Sequence, residues 1–423
     1  MSLSDPVPPG HQPAPHLVVR SQPAVGVAER LLDHLPDDGG LAWVRRGDGH
    51  VGWGVAAQLD VAGGNRFGQA QSWWQELVGH AVIRDEVGVP GSGLLCFGSF
   101  GFTDEDPSEL VVPEVIVGRR GGTTWVTTIS PASSLAAPPA LTTYEPDPVG
   151  QVAFADGSRS GTEWSGIVAD AVTRITGGAL DKVVLARDLI AIAEKPIDLR
   201  WPLRRLASAY PNCWTFSVDG LIGATPELLV RREKGLITSR VLAGTIRRTG
   251  DDAHDLALAA SLARSSKDLE EHEYAVRSVA DALKPHCKSM NVPETPFVLH
   301  LPNVMHLASD VAGVAANGAS ALGLAAALHP SAAICGTPTG TARELIGEIE
   351  GMSRGRFSGP VGWMDAGGDG EWCIALRCGQ ADPDDPTRMR IFAGAGIVAG
   401  SDPEAELAET IAKLVPMRDA LGE

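Results

Sequence analysis

Nowhere along its 423 residues does the chain gather lysines and arginines into a cluster or stripe, and its formal net charge is −17. Both features exclude a nucleic-acid binder held by phosphate contacts. Long hydrophobic runs are missing too. The longest apolar stretch, Ala319 to Leu328, is alanine-rich and too short to span a bilayer, so no membrane association is expected. The six cysteines form no C-x-x-C pair and no His/Cys set at zinc spacing. They read as reduced thiols, and the expected compartment is the cytoplasm. Positions 1 to about 16 are polar and proline-rich, with neither a basic n-region nor an apolar h-region, so no secretory signal is expected there. A disordered tail is expected over residues 1–20. No period of 20 to 50 residues recurs, which excludes a solenoid or propeller.

What is present describes an ordinary globular chain, with 44% hydrophobic and 21% charged residues. An acidic protein that acts on an acidic small molecule must concentrate its few cations, or a metal, at the site. Up to about residue 150 the pattern is short apolar runs bounded by Gly, Pro, Asn and Asp: Leu41–Val44, Val51–Ala56, Leu94–Phe97, Glu114–Val117 and Thr124–Ile129. They predict an antiparallel sheet. Pro131 to Gly150 reads as a surface connection. A helix is predicted from Gly161 to Thr176, then a strand at Lys182–Arg187 that places Lys182, Val184 and Ala186 on one face. Further helices are predicted at Asp198–Ala209, Asp251–Arg264, Ser266–Leu283 and Gly318–Leu328. Strands fall near Cys213–Val218, Leu221–Ala224, Glu227–Arg231, Leu236–Leu242 and Trp372–Cys378. Ser401 and Asp402 stand at an N-cap position, Pro403 comes next at the first helical position, and Leu407, Ile411 and Leu414 recur at helical spacing, which predicts a final helix.

Several residues ask for chemistry. Lys182 opens an apolar strand, where desolvation of an ammonium favours the neutral amine that a general base needs, or else the side chain snorkels to water. Glu227, in Gly223-Ala224-Thr225-Pro226-Glu227-Leu228-Leu229, is either an edge glutamate or a buried acid poised to donate a proton. Asp268 and Glu271 stand three apart on one helix, and Glu406 and Glu409 three apart on another, with Lys413 on the latter stripe. Two such carboxylate pairs suit a hard cation such as Mg²⁺ that keeps several waters, or else they are solvated helix faces. His272 has no second His or Cys at zinc spacing. Arg377 offers a fork that can grip a carboxylate or close an internal ion pair. Gly394-Ala395-Gly396-Ile397-Val398-Ala399-Gly400 loosely mimics a dinucleotide fingerprint, but the stretch beyond Gly400 suffices for one helix and no second strand.

In order along the chain, Lys182–Arg187, Gly223–Leu229, Leu242–Thr245, Ser266–His272, His329–Pro338 and Gly359–Lys413 resemble the chorismate-utilising enzymes, which include isochorismate, salicylate, anthranilate and aminodeoxychorismate synthases. The resemblance runs from about Ser165 to Leu414. It implies an α+β fold of two large, mainly antiparallel β-sheets packed face to face as a sandwich with helices outside, and one catalytic domain over 21–423, with its core at 160–418. Lys182 matches the lysine that activates water in isochorismate and salicylate synthases. Ala243 stands where aminodeoxychorismate synthases carry a nucleophilic lysine. Ala333 and Ile334 look like isochorismate synthases, whereas salicylate and anthranilate synthases usually place threonine at the position of Ala333.

The implied function is isochorismate synthase, with salicylate synthase as the alternative. The implied ligands of Mg²⁺ are Glu271 and Glu409, with Asp268 and Glu406 supporting through bound water. Lys182 is the implied base toward water, and Glu227 the implied acid toward the departing hydroxyl. Arg377, Gly244, Thr245, Gly394, Gly396, Lys413 and His329 are implied to bind substrate, and Phe357 departs from a tyrosine found in some relatives. No glutaminase subunit is expected, and a monomer is. Menaquinone, catecholate siderophore and salicylate synthesis all draw on isochorismate, and these residues do not choose among them.

Overall fold

The structure is a computed structural model that describes residues 14–37, 40–133, 139–316 and 318–422. Two sheets of 13 and 10 strands dominate it, and every strand pair but one is antiparallel, the exception being Leu17–Pro23 against Val82–Asp85. This is the expected α+β architecture of two large sheets with helices. In each sheet a block of amino-terminal strands adjoins a block from later in the chain. Leu41–Arg45 pairs with Trp214–Val218, and Leu95–Ser99 pairs with Pro360–Asp365. No cut along the chain therefore separates an amino-terminal unit from the rest.

Alternating strands bury one face of each sheet against a shared core that includes Trp43, Phe97, Phe100, Trp214 and Trp372. Two tight hairpins set the register of the central meander. Asp219-Gly220 and Lys234-Gly235 each have both residues at positive φ, the two-residue turn whose twist matches the flanking strands. The helix Gly161–Thr176 starts as predicted, with a reciprocal capping box between Ser160 and Glu163. The final helix, Pro403–Leu421, is capped by Asp402, whose side chain accepts from the amide of Ala405 at 2.9 Å.

The structure corrects several expectations. The strand Leu17–Pro23 buries Leu17 and Val19 completely, so the ordered fold begins inside the stretch expected to be a tail; residues 1–13 lie outside the described residues. Helices Arg66–His80 and Thr339–Ile349 carry no clear signal in the sequence, because their apolar positions are diluted by Gly, Gln and Thr. Ile411 is exposed, since the apolar side of the last helix centres on Leu414 and Met417 instead. Residues 372–378 are not one strand. Gly370–Ile374 belongs to the smaller sheet and Cys378–Ala381 to the larger, and the chain crosses between them at Ala375, Leu376 and Arg377.

Candidate active site

The crossings between sheets make the site. Leu221–Thr225 lies in the larger sheet and Leu228–Glu233 in the smaller, so Pro226 and Glu227 form a second crossing beside that of Arg377. Backbone bonds lock the two together: the amide of Ala224 donates to the carbonyl of Arg377 at 3.2 Å, and that of Ile374 to the carbonyl of Glu227 at 3.1 Å. Where strands leave one sheet for another a gap opens, and Arg377, held at φ 49°, turns its side chain into it. The result is a recess of about 930 Å³ of atom-free space, its mouth included.

Each wall comes from a different element. The strand Lys182–Ala193 and its antiparallel partner Arg388–Ile397 supply Val184, Gly394 and Gly396. Lys182 is 1% exposed, and its ammonium meets Oε1 of Glu271 at 2.9 Å. Gly396 makes that meeting possible: a methyl group there would stand 2.6 Å from Oε1 of Glu271 and 3.1 Å from Cε of Lys182. The strand Leu236–Arg247 bulges between Ala243 and Thr245, with Gly244 at φ +77°, and this presents Thr245 to the recess. Helices Ser266–Leu283 and Pro403–Leu421 bring Asp268 and Glu271, and Glu406, Glu409 and Lys413, to the same space. Lys413 pairs with Glu409 at 2.5 Å and donates to the carbonyl of Gly394 at 2.9 Å. Ala333, Ile334 and Phe357 complete the lining.

Burial decides the electrostatics. Desolvation pushes the carboxyl of Glu227 up to about 7, and the neighbouring charges of Arg377, Lys182 and Lys413 only partly offset it. At neutral pH this acid therefore holds its proton for much of the time. Five carboxyls thus line the recess with two cations, Arg377 and Lys413, while the ammonium of Lys182 lies behind Glu271. Among the described residues no three of His, Cys, Asp or Glu are gathered closely enough to hold a metal unaided. Two carboxylate pairs on facing helices do fit a hard cation that keeps water and takes further oxygens from a ligand.

Two expected residues do not line the recess, and one was missed. Lys182 lies behind Glu271 and Gly396, which do line it. His329, at the end of the helix Ala321–Leu328, is half-buried against Phe67 and Phe102, its Nε2 3.1 Å from the carbonyl of Phe102, so the structure does not support its expected role at the substrate ring. His306 occupies the recess instead. Arginine has no acceptor, so Nη2 of Arg377 donates to Nε2 of His306 at 3.3 Å, which leaves the proton on Nδ1 to be donated to Oγ1 of Thr245 at 3.1 Å. Burial, with Arg377 next in weight, holds the imidazole well below its ordinary value, hence neutral. The sequence signal was a histidine in a largely apolar strand, Val304–Ala315, and its pairing with Thr245 is a tertiary fact. His272, set aside as a zinc ligand, is buried with Nε2 2.9 Å from Oγ of Ser309. Gly394 and Gly396 of the supposed dinucleotide fingerprint sit inside an antiparallel strand, and Gly400 alone falls in the turn before the final helix.

Residues 43–422 match the family described as chorismate binding enzyme. The chain belongs to that family. It is 43% identical over 267 residues to isochorismate synthase DhbC of Bacillus subtilis, a match covering 60% of this chain and 66% of that relative. It is 34% identical over 402 residues to the vibriobactin-specific isochorismate synthase of Vibrio cholerae, covering 94% of this chain and 95% of the other. The fold matches that of MenF, the menaquinone-specific isochorismate synthase from Escherichia coli, with a TM-score of 0.78 at 23% identity, over 96% of this chain and 95% of that one. Chorismate binding enzymes act on chorismate, which makes the recess the place where the substrate is sought. No helix among the described residues is long and apolar enough to cross a membrane.

Proposed function

We propose that the protein is a Mg²⁺-dependent isochorismate synthase, an isomerase that adds water at C2 of chorismate with loss of the C4 hydroxyl. The observation that carries this reading is a recess in which Glu227, an acid that keeps its proton near neutral pH, stands with Arg377 and four further carboxylates, one of which, Glu271, meets the fully buried amine of Lys182 behind the recess wall. The relatives named isochorismate synthase support it.

Lys182 takes a proton from water as its oxygen attacks C2. The ring double bonds shift, and Glu227 gives its proton to the C4 hydroxyl, which leaves as water. One water enters and one departs, so the product is an isomer. Arg377 faces the enolpyruvyl carboxylate, its guanidinium steadied by neutral His306, while the Thr245 hydroxyl, the backbone at Gly244, Gly394 and Gly396, and the ammonium of Lys413 offer donors to the remaining oxygens. Ala333 and Ile334 present an apolar wall at the position where pyruvate-eliminating relatives usually place threonine. Ala243 leaves no amine to act as a nucleophile. A dianionic substrate entering among five carboxyls and two cations needs a further positive charge, and Asp268, Glu271, Glu406 and Glu409 are the residues that would hold Mg²⁺. When bound, the ion would neutralise the ring carboxylate and orient it. A cytoplasmic monomer without a glutaminase subunit suits this reaction, since water is the nucleophile.

Incubation of the purified protein with chorismate and Mg²⁺, with and without EDTA, followed by chromatography and mass analysis, tests the proposal. Isochorismate without pyruvate is expected only when Mg²⁺ is free. Salicylate with equimolar pyruvate would replace the assignment by salicylate synthase, and no conversion in either case would overturn it.

A further inference from the structure

The strand that carries Lys182 has a gap along one edge. On one side it pairs with Arg388–Ile397 from Val183 to Ile192. On the other, Gly336–Thr337 covers Lys182 and Val183, and Val152–Asp156 covers Leu189 to Ala193. The amide of Val184 reaches the carbonyl of Cys335 at 2.8 Å, and between Val184 and Asp188 no strand of the described residues lies alongside on this edge. Two side chains take over the ladder. Arg354 donates from Nη2 to the carbonyl of Val184 at 2.7 Å, and the amide of Ala186 donates to Oε2 of Glu350 at 2.8 Å. Trp164 then donates to the carbonyl of Ala186 at 2.9 Å.

Arg354 and Glu350 are 1% and 0% exposed and form a two-pronged pair, Nε to Oε1 at 2.7 Å and Nη2 to Oε2 at 2.6 Å. Nη1 of the same arginine donates to the carbonyl of Ile334 at 3.0 Å, and its guanidinium lies 4.2 Å from the ring centre of Phe102. One planar group thus joins the strand of Lys182 to the turn of Ala333 and Ile334. Neither Arg354 nor Glu350 lines the recess.

Resting on the chorismate reading above, we infer that Glu350 and Arg354 are positioning residues that bridge the gap between two strands on this edge and fix the distance between the base Lys182 and the apolar wall at Ala333 and Ile334. A buried ion pair is poor evidence for stability as such, because desolvating two charges offsets most of their attraction. What this pair supplies is a rigid, directional brace, four of whose five guanidinium protons are spoken for. A displacement of about 1 Å at a reacting group can cost roughly 10²-fold in rate.

Arg354→Ala would strand a buried carboxylate and risks unfolding, so the test uses Glu350→Gln and Arg354→Lys, which keep an acceptor or a charge in place. Two readouts are made beside the wild type. Hydrogen exchange, which needs no activity, is expected to quicken in peptides covering 182–187 and 331–337 and nowhere else. With chorismate and Mg²⁺, kcat is expected to fall about 10- to 100-fold while KM moves less than about threefold, and the solvent deuterium effect on kcat should rise as proton transfer to Lys182 becomes limiting. Unchanged exchange in those peptides, or a folded variant with wild-type kcat and solvent effect, would overturn the inference. If the wild type leaves chorismate untouched, the functional reading fails while exchange still judges the brace.

Discussion

The ammonium of Lys182 and the carboxylate of Glu271 stand 2.9 Å apart at the wall of the recess, one from a strand of the larger sheet and the other from the helix Ser266–Leu283. A residue suited to act as base and a residue suited to ligate a metal therefore neutralise each other in the unliganded protein. A carboxylate shared in this way serves a divalent cation less well. Replacing Lys182 by Met is expected to tighten Mg²⁺ binding several-fold in calorimetric titration and to lower turnover by roughly 10²- to 10⁴-fold, with chorismate binding retained. Weaker Mg²⁺ binding by the variant, or normal turnover, would contradict the pairing or the role.

Glu227 ties pH to both activity and stability. Because its proton is needed, kcat/KM is expected to fall above about pH 7, and Glu227→Gln should remove that limb together with most of the rate. A carboxyl whose folded value lies above its unfolded value of 4.5 stabilises the fold below about pH 4.5, and this contribution is lost as pH rises through about 7. Ionised Glu227 at pH 8 therefore costs on the order of 3 kcal/mol. Thermal unfolding of Glu227→Gln should match the wild type near pH 5 and exceed it at pH 8; a difference independent of pH would refute the raised value.

Gly396 lies where a side chain would collide with a movable group rather than with backbone. A methyl group there meets Oε1 of Glu271 and Cε of Lys182, both near the ends of flexible side chains. Gly396→Ala is expected to lower kcat at least tenfold while the unfolding midpoint stays close to that of the wild type. Equal losses of rate and stability would point to a strand defect instead.

His306 and His329 divide cleanly. His306→Gln should raise KM for chorismate by roughly tenfold through the freed Arg377, a loss near 1.4 kcal/mol, whereas His329→Gln should leave KM unchanged. Steady-state kinetics on the two variants decides, and the reverse pattern would restore His329 to the site.

Much of the site is readable along the chain because its residues sit in locally patterned elements. Asp268 with Glu271, and Glu406 with Glu409, share a helix face by spacing alone, and both helices stand where the caps at Ser265 and Asp402 start them. Lys182 is legible as the odd residue of an apolar strand. Arg377 stands out for its chemistry but not for its element: seven residues that read as one strand contain a crossing between sheets, and apolar content is equally high on both sides of it. His306 escapes notice because its partners, Thr245 and Arg377, lie far from it along the chain. The brace of Glu350 and Arg354 is hidden for the same reason, its partners at Val184, Ala186 and Ile334 being backbone atoms distant along the chain.

The sequence by itself determined the elements, their caps and turns, and the membership of a family whose chemistry rests on a lysine, a glutamate and two carboxylate pairs, since these depend on neighbours within a few residues. Only the tertiary structure decided which charges meet. It set Lys182 against Glu271, lifted the acid of Glu227 by burial, and put His306 rather than His329 beside Arg377, because distances between strands and the loss of water around a side chain depend on how segments far apart in the chain pack together.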